Sequence, residues 1–224
     1  MQFVSFCFVP KAWIALEAAE VPYKFEQISL YGGGGKPPWF MKLNPKGTVP
    51  VLVINNDNGN EKEQVLVLAD SDLILDEMKT VMDSVVGATT EESLVTAPED
   101  DATLAKMKAF RYALNEFLPI GKSAVLGGDK ERMWSKLREL DALIDTKQEK
   151  CTPQKGRSCC FLAGTAKPTV ADCAGFPFLW RIDNEFGSSS WESHGCSNIL
   201  VWLDLCKKEP AFAKSVQSSW WWWW

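Results

Sequence analysis

The spacing of hydrophobic and polar positions changes several times along the chain, and each change marks an element. Residues 2–6 are short and β-prone, whereas residues 11–20 put Ala12, Ala15, Leu16 and Ala19 on one helical face. Cys7-Phe8-Val9-Pro10 lies between them. Pro10 suits the first turn of a helix, where a missing N–H costs nothing, so Cys7 is expected in the loop just ahead of it. Val21-Pro22 ends this helix, and residues 23–30 alternate through Tyr23, Phe25, Ile28 and Leu30 as a second strand. Gly32 to Gly35 form a loop, and residues 39–43 a short helix. Residues 51–54 and 64–68 flank the Asn/Asp/Gly-rich stretch 55–60, the pattern of a hairpin. Asp70 or Ser71 then caps a helix over 72–82, with Leu73, Ile74 and Met78 facing inward. The order β-α-β-α-β-β-α over about 80 residues predicts a mixed four-stranded sheet with helices on both faces.

Residues 83–98 mix Gly, Thr, Ser, acids and proline and read as a linker. Beyond it only the helical period recurs. Leu104, Met107, Phe110, Leu114 and Phe117 make residues 100–118 a long amphipathic helix, with Pro119 expected to stop it. Gly127-Gly128 breaks the chain again, and Met133, Leu137, Leu140 and Ile144 repeat the pattern over 130–146. After a polar loop at 147–158, Thr169-Val170-Ala171-Asp172 has the form of a capping box. It opens a helix over 170–183 that is apolar nearly all round, as a bundle's central helix is, with a kink expected at Pro177. Residues 198–205 form one more helix. The resulting division is an α/β domain over 1–82, a linker over 83–98, an all-helical domain over 99–213 and a tail over 214–224 that ends in Trp220 to Trp224.

Composition narrows the class without altering this outline. The net charge of −5 and a pI of about 5.1 argue against nucleic acid as a partner. No run approaches the ~18 apolar residues of a membrane span. The start of the chain lacks a basic segment and a cleavage site, so no signal peptide is expected. The seven cysteines are irregularly spaced, which favours free thiols in a reducing, cytoplasmic setting over a disulfide framework. One histidine, His194, far in sequence from Cys7, makes a zinc site or a Cys-His dyad unpromising. Four glycines before Lys36 lack the spacing of a phosphate loop.

Three stretches carry candidate chemistry. Val49-Pro50 leads a turn into a strand, where a cis peptide is most at home. A cis bond there would turn the Val49 N–H and C=O outward to pair with an extended ligand as an added strand. Asp70-Ser71 opens a helix, whose free N–H groups attract anions. Together they suit a small peptide with a free carboxylate; the alternative is two ordinary loops. The third stretch is Cys7, at a helix start, where a thiol is acidified. Pro10 stands where a CxxC motif has its second cysteine, so a lone thiolate would form its mixed disulfide with an outside thiol.

Cys7 ahead of the first helix, Trp39-Phe40 before Leu43-Asn44-Pro45, Val49-Pro50 and Asp70-Ser71, in this order of elements, resemble the thioredoxin-like N-terminal domain of cytosolic glutathione transferases. Their cysteine-bearing branch, the omega-type and dehydroascorbate-reductase-like proteins, is most similar. The phrase Phe161-Leu162-Ala163-Gly164 followed by Thr169-Val170-Ala171-Asp172 resembles the core of their helical domain, which makes Asp172 structural. The branch's Cys-Pro-Phe-x-x-Arg run stands here as Cys7-Phe8-Val9-Pro10-Lys11, one residue shorter and without its first proline. Aligned without a gap, Phe6 takes the cysteine's place, with Ser5 or Cys7 adjacent.

The resemblance implies an α/β plus all-α fold, a thioredoxin-like domain followed by an all-helical bundle. It implies glutathione as cofactor and no metal. Thr48, Val49 and Pro50 would meet the cysteinyl unit, Asp70 and Ser71 the γ-glutamyl end, and Lys36 the glycyl carboxylate. Cys7 would reduce dehydroascorbate or a mixed disulfide with glutathione resolving the adduct; alternatively Ser5 would activate glutathione for conjugation, or the fold would serve as a non-catalytic interaction module. The second substrate would be a small molecule or a disulfide, in a pocket between the domains near Phe110, Arg111 and Tyr112. A monomer or homodimer is implied.

Overall fold

Ala12, Ile14, Ala15, Leu16, Ala18 and Ala19 are all buried, so the first helix is enclosed on more than one stripe. The computed structural model describes residues 5–29, 35–56, 64–85, 94–96, 98, 100–144 and 160–217. In it α1 (Ser5–Ala18) starts earlier than the apolar periodicity predicts and carries Pro10 inside. Cys7 therefore lies within α1, in its first turn among the described residues, and not in a loop ahead of it; Ser5 is the first helical residue described. Phe8 meets Phe178 edge-on with ring centroids 5.5 Å apart. That contact anchors the extra turn against the hydrogen bond lost at Pro10. Positions 5 and 6 are thus helical where a first strand was expected, and residues 2–4 lie outside the described residues.

The expected second strand does not form over 23–29. An extended segment becomes a strand only with a neighbour to take its backbone groups, and this one lies at the surface with Phe25 55% exposed. Among the described residues the sheet therefore has two strands instead of four, β1 (Leu52–Asn56) and β2 (Gln64–Leu68). They pair antiparallel, Leu52 opposite Leu68 and Ile54 opposite Leu66, with Ile54 and Leu68 buried. The hairpin's connection, 57–63, lies outside the described residues. Between α1 and β1 comes α2 (Pro38–Leu43), started by proline at its first position and anchored by buried Phe40.

After the hairpin, α3 (Ser71–Asp76) and α4 (Met78–Val85) stand where one helix was predicted, with Glu77 between them. Of the expected linker, residues 83–85 complete α4, and Val95 pairs in parallel with Thr169, donating its N–H to the Pro168 carbonyl at 2.8 Å. Next, α5 (Asp101–Val125) runs through Pro119 instead of stopping there. Its apolar face continues to Phe117, Gly121 and Ala124, all buried, and that packing carries the helix past the missing N–H. Gly127, with φ +95°, ends it and leads to α6 (Lys130–Asp141). The loop over 147–158 and the tryptophan tail lie outside the described residues.

The helical core is built around α7 (Val170–Phe186), which contains Pro177. Its capping box is complete: Thr169 and Asp172 each satisfy the other's backbone N–H. Three helices close the layer, α8 (Ser189–Ser193), α9 (Ser197–Cys206) and α10 (Pro210–Gln217). α7 packs against α1, α3, α5 and α9, so one helix joins both halves of the molecule. Gly175 makes this packing feasible: a Cβ there would stand 2.8 Å from Cε1 of Phe110. Phe110, Phe176, Trp202 and Phe212 form a chain of ring contacts across the bundle. The result is a thioredoxin-like N-terminal domain with a small sheet, followed by a helical domain sharing one continuous core with it.

Candidate functional site

The turn before β1 is organised by Asn44, which is 2% exposed. Its amide Nδ2 donates to the Thr48 carbonyl at 2.8 Å and to Thr48 Oγ1 at 3.1 Å. Its Oδ1 accepts from the Lys46 N–H at 3.2 Å, and its carbonyl from the Gly47 N–H at 2.8 Å. A short polar side chain after α2 thus does the work of a strand, holding residues 44–48 by their backbone. Gly47 has φ +62°, a conformation that glycine adopts without a Cβ clash. It also gives Lys36 room: a Cβ on Gly47 would stand 2.8 Å from Lys36 Nζ. Lys36 is half-buried and has no ion-pair partner among the described residues.

Val49-Pro50 is a cis peptide bond. Among the described residues, neither the Val49 N–H nor its carbonyl enters a hydrogen bond. Val49 and Pro50 are half-buried, and Thr48 is exposed. An edge of backbone is therefore left open beside the Asn44-held turn.

The second stretch leaves the same end of the hairpin, because the register sets Leu52 against Leu68. Asp70, extended at φ −158°, caps α3: its Oδ1 accepts from the N–H groups of Asp72 at 2.8 Å and Leu73 at 3.2 Å. Those two amides are already taken, so a ligand here would meet the Asp70 carboxylate and Ser71, not an empty helix end. Ser71 is 3% exposed, yet its hydroxyl has no hydrogen-bond partner among the described residues.

Behind this edge lies a group that sequence reasoning missed. Lys11 is 0% exposed, and its Nζ meets Asp72 Oδ1 at 2.6 Å. The ammonium stands 5.5 Å from the Phe8 ring centroid and 5.9 Å from that of Phe178. Desolvation by burial lowers its pKa, with the hydrogen bond to Asp72 opposing. Asp72 also meets Arg111 at 3.4 Å, and Arg111 pairs with Asp76 at 2.5 Å. This ionic chain ties α1 to α3 and α3 to α5. The signal lay in the sequence, a lysine within a largely apolar first helix, but its partner 61 residues away did not.

Phe8 and Phe178 also wall a cavity of about 270 Å3 between α1, α5 and α7. Its α5 side is Phe117 to Val125, which begins one to two turns beyond the residues expected from sequence and ends about four turns beyond them. Phe110 is instead core, Arg111 belongs to the ionic chain, and Tyr112 is 68% exposed with its hydroxyl donating to Glu116. The periodicity of α5 gave its buried face correctly but not which part of that face a partner helix leaves open.

The remaining cysteines and the histidine have structural environments. Cys173, Cys196 and Cys206 are free and buried; burial pushes the first and last far up, and the Cys196 thiol to about 11. Cys160, against the expectation of free thiols, is disulfide-bonded. His194 stacks on Trp134 at 4.1 Å between centroids. No group of three or more potential metal ligands occurs among the described residues. Asp172 accepts four hydrogen bonds, from the N–H groups of Leu162 and Thr169, the Thr169 hydroxyl and the Trp202 indole. That is a core keystone, as its position in the sequence predicts.

Residues 6–81 match the family described as glutathione S-transferase, N-terminal domain. Over 215 residues the chain is 28% identical to the probable glutathione S-transferase DHAR4 of Arabidopsis thaliana, covering 92% of this chain and 85% of that protein. Among solved structures, a glutathione transferase family member of Pseudomonas fluorescens with two glutathione bound superposes with a TM-score of 0.64 at 18% identity, over 94% of this chain and 88% of the other. Glutathione transferase Omega 3C of Trametes versicolor gives 0.63 at 18% identity, over 94% and 85%. The trimeric glutathione transferase TDR1 of Leishmania gives 0.64 at 18% identity over 94% of this chain, which spans 44% of that longer one. At such identities the structural likeness speaks for the fold, and the sequence matches speak for descent. Residues 6–81 thus match the glutathione S-transferase N-terminal domain family, and through the helical bundle the chain shares the fold of glutathione transferases.

Proposed function

We propose that the protein is a glutathione-dependent thiol transferase or reductase with Cys7 as its nucleophile. The observation that carries this reading is the set of polar groups left without a partner among the described residues at one end of the hairpin: the Val49 N–H and carbonyl and the Ser71 hydroxyl. A cysteinyl unit pairs with the Val49 backbone as one residue of an added strand. The exposed Asp70 carboxylate takes the γ-glutamyl ammonium and Ser71 its carboxylate, while Lys36, seated on Gly47, faces the glycyl carboxylate. Thr48 and Pro50 border that strand. The glutathione-bound relative and the DHAR4 relative support the same assignment.

Cys7 supplies the chemistry from the first turn of α1, where unpaired amides favour a thiolate. With a glutathionylated substrate, the Cys7 thiolate attacks the glutathione sulfur, the S–S bond breaks, and the substrate leaves as a thiolate that takes a proton. A second glutathione thiolate then attacks the Cys7-bound glutathione, releasing glutathione disulfide and restoring Cys7. With dehydroascorbate the same two glutathiones furnish both electrons and both protons. The division into a glutathione-binding domain over 1–82 and a helical domain over 99–213, joined by 83–98, belongs to this proposal.

Assay of Cys7→Ser tests it. Thiol transfer from glutathione to a mixed disulfide is expected to fall at least about a hundredfold, with glutathione still raising the Tm. Retained thiol transfer in that variant overturns the Cys7 mechanism. A wild-type protein that conjugates a model electrophile but transfers no thiol would assign the site to conjugation. A wild-type protein whose Tm glutathione leaves unchanged overturns the binding assignment itself.

A further inference from the structure

The buried lysine of α1 bears on the reactivity of Cys7. The helix sets Cys7 and Lys11 four positions apart, one turn along the same face. Helical side chains lean toward the N-terminal end, so a long one at position 11 runs back over the turn that holds position 7. The Lys11 ammonium is enclosed, 5.5 Å from the Phe8 ring centroid and 5.9 Å from that of Phe178. It reaches α3 at Asp72, the residue after Ser71, at 2.6 Å. The face of α1 that carries Cys7 is therefore the face turned toward the start of α3. Burial and, to a lesser degree, Arg111 of α5 disfavour the charged lysine; the Asp72 hydrogen bond and the charges of Asp72 and Asp70 favour it. From α7 it meets the Phe178 ring, and Arg181 farther along that helix is paired with Glu185 at 3.2 Å. α10 pairs with α1 near its other end, through Lys214 and Glu17. An ion pair that merely joined α1 to α3 could start from any inward position of α1; this one starts a single turn from Cys7.

We propose that Lys11 is a positioning residue for the nucleophile: its enclosed ammonium favours the Cys7 thiolate, while its bond to Asp72 holds that face of α1 against α3. The same charge acts twice in thiol transfer. It keeps the Cys7 sulfur deprotonated for attack. It then stabilises that sulfur as the leaving group when the second glutathione's thiolate breaks the Cys7–glutathione bond and forms glutathione disulfide. Residues four apart on a helix have Cβ atoms about 6 Å apart. With Asp72 offsetting part of the charge, the effect on the thiol should be about one pH unit, roughly tenfold in thiolate at a pH below both midpoints. As a part of catalysis this rests on the proposed function; as an effect on the thiol it does not, because no glutathione is involved.

Alkylation of Cys7 by iodoacetamide without glutathione, followed across pH by mass spectrometry of its peptide, tests the proposal. The wild-type midpoint is expected at least about one unit below the ~8.5 of a free thiol, and the Lys11→Met midpoint about one unit above wild type. Lys11→Arg keeps the charge and should stay within about 0.3 unit of wild type. So should Lys136→Gln, which removes a cation that pairs with Glu139 on α6. In Lys11→Met, kcat for thiol transfer near neutral pH should fall about tenfold and recover as pH rises, with the KM for glutathione within about twofold. A wild-type midpoint near that of a free thiol, an unmoved midpoint in Lys11→Met, or an equal rise in Lys11→Arg or Lys136→Gln each overturns it. Glutathione titrated separately keeps the two proposals apart. A raised midpoint in Lys11→Met, with no glutathione bound by the wild type, would sink only the glutathione reading. An unmoved midpoint in a protein that binds glutathione and needs Cys7 would sink only this one.

Discussion

Two helix starts with kindred sequences are completed differently in this protein. Asp70-Ser71-Asp72 opens α3, and Thr169-Val170-Ala171-Asp172 opens α7. At α7 every polar atom of the box is answered: the Asp172 carboxylate is fully enclosed and accepts four hydrogen bonds. At α3 the cap itself is formed, but the Ser71 hydroxyl has no partner among the described residues and the Asp70 carboxylate is exposed. A satisfied network specifies a fold and has nothing left for a ligand. Polar groups that the fold leaves without protein partners keep their hydrogen-bonding capacity for a ligand. The contrast, not the capping motif, separates a core residue from the proposed site.

The largest effect is expected at the satisfied end. Asp172→Asn puts a donating N–H2 where one carboxylate oxygen accepts two hydrogen bonds, so two donors lose their acceptor. It should cost about 3 kcal/mol or more in urea denaturation. A loss under about 1 kcal/mol would dissolve the contrast.

The ionic chain gives the next test, because its two partners are unequally placed. Asp72→Asn leaves Lys11, which is 0% exposed, as a buried cation without its counter-charge, and should destabilise by about 2–3 kcal/mol. Lys11→Met removes the buried charge and leaves Asp72 with Arg111 at 3.4 Å, so its cost should stay under about 1 kcal/mol. Equal losses in the two variants would contradict this account.

Ser71→Ala sharpens the α3 side. Since the hydroxyl bonds nothing within the described fold, stability should move by no more than about 0.5 kcal/mol. Glutathione affinity should fall about five- to tenfold, as a hydrogen bond to a charged ligand group is lost. An unchanged Kd would remove Ser71 from the site.

The smallest effect is a pH dependence in the helical core. Burial raises the Asp183 pKa, but hydrogen bonds from Lys207, Trp191 and Ser188 outweigh it, so the folded pKa is depressed. Its stabilisation is present above the unfolded carboxylate pKa of about 3.9 and is lost as pH falls through the folded value. Asp172 has the opposite sign: burial raises its pKa against its hydrogen bonds, so it favours the fold at low pH and that contribution fades as pH rises through the folded value. Urea midpoints at neutral pH and near pH 3 should therefore show Lys207→Met closer to wild type in acid, by about 1 kcal/mol or less. An unchanged gap between the two proteins would assign Lys207 no part in holding Asp183 ionised.

Much of the helical domain was legible beforehand, because helices report their buried face through local spacing. Met107, Phe110, Leu114 and Phe117 are buried as their period predicts, and the Thr169 box is complete. Prolines misled where packing outweighed a local rule: α5 runs through Pro119, and α1 extends back through Pro10 to take in Cys7. The strand expected over 23–30 failed for the reason strands are harder to read, that pairing is settled by a distant neighbour and not by the segment itself. At the candidate site Val49, Pro50, Asp70 and Ser71 were legible from turn and cap chemistry. Asn44's hold on Thr48, Lys36 against Gly47, and Lys11 beneath Asp72 were not, since each depends on a chain approach that spacing does not encode.

By itself, then, the sequence determined the two-part architecture, the capped helix starts and the residues of the open turn, all of which follow from interactions within a few positions of one another. The tertiary structure alone decided which polar groups would be left without partners, where the cavity opens along α5, and that Lys11 is buried on Asp72. Satisfaction and burial are properties of what surrounds a group in space. Two similar caps diverge into a keystone and a candidate site only once their neighbours have arrived.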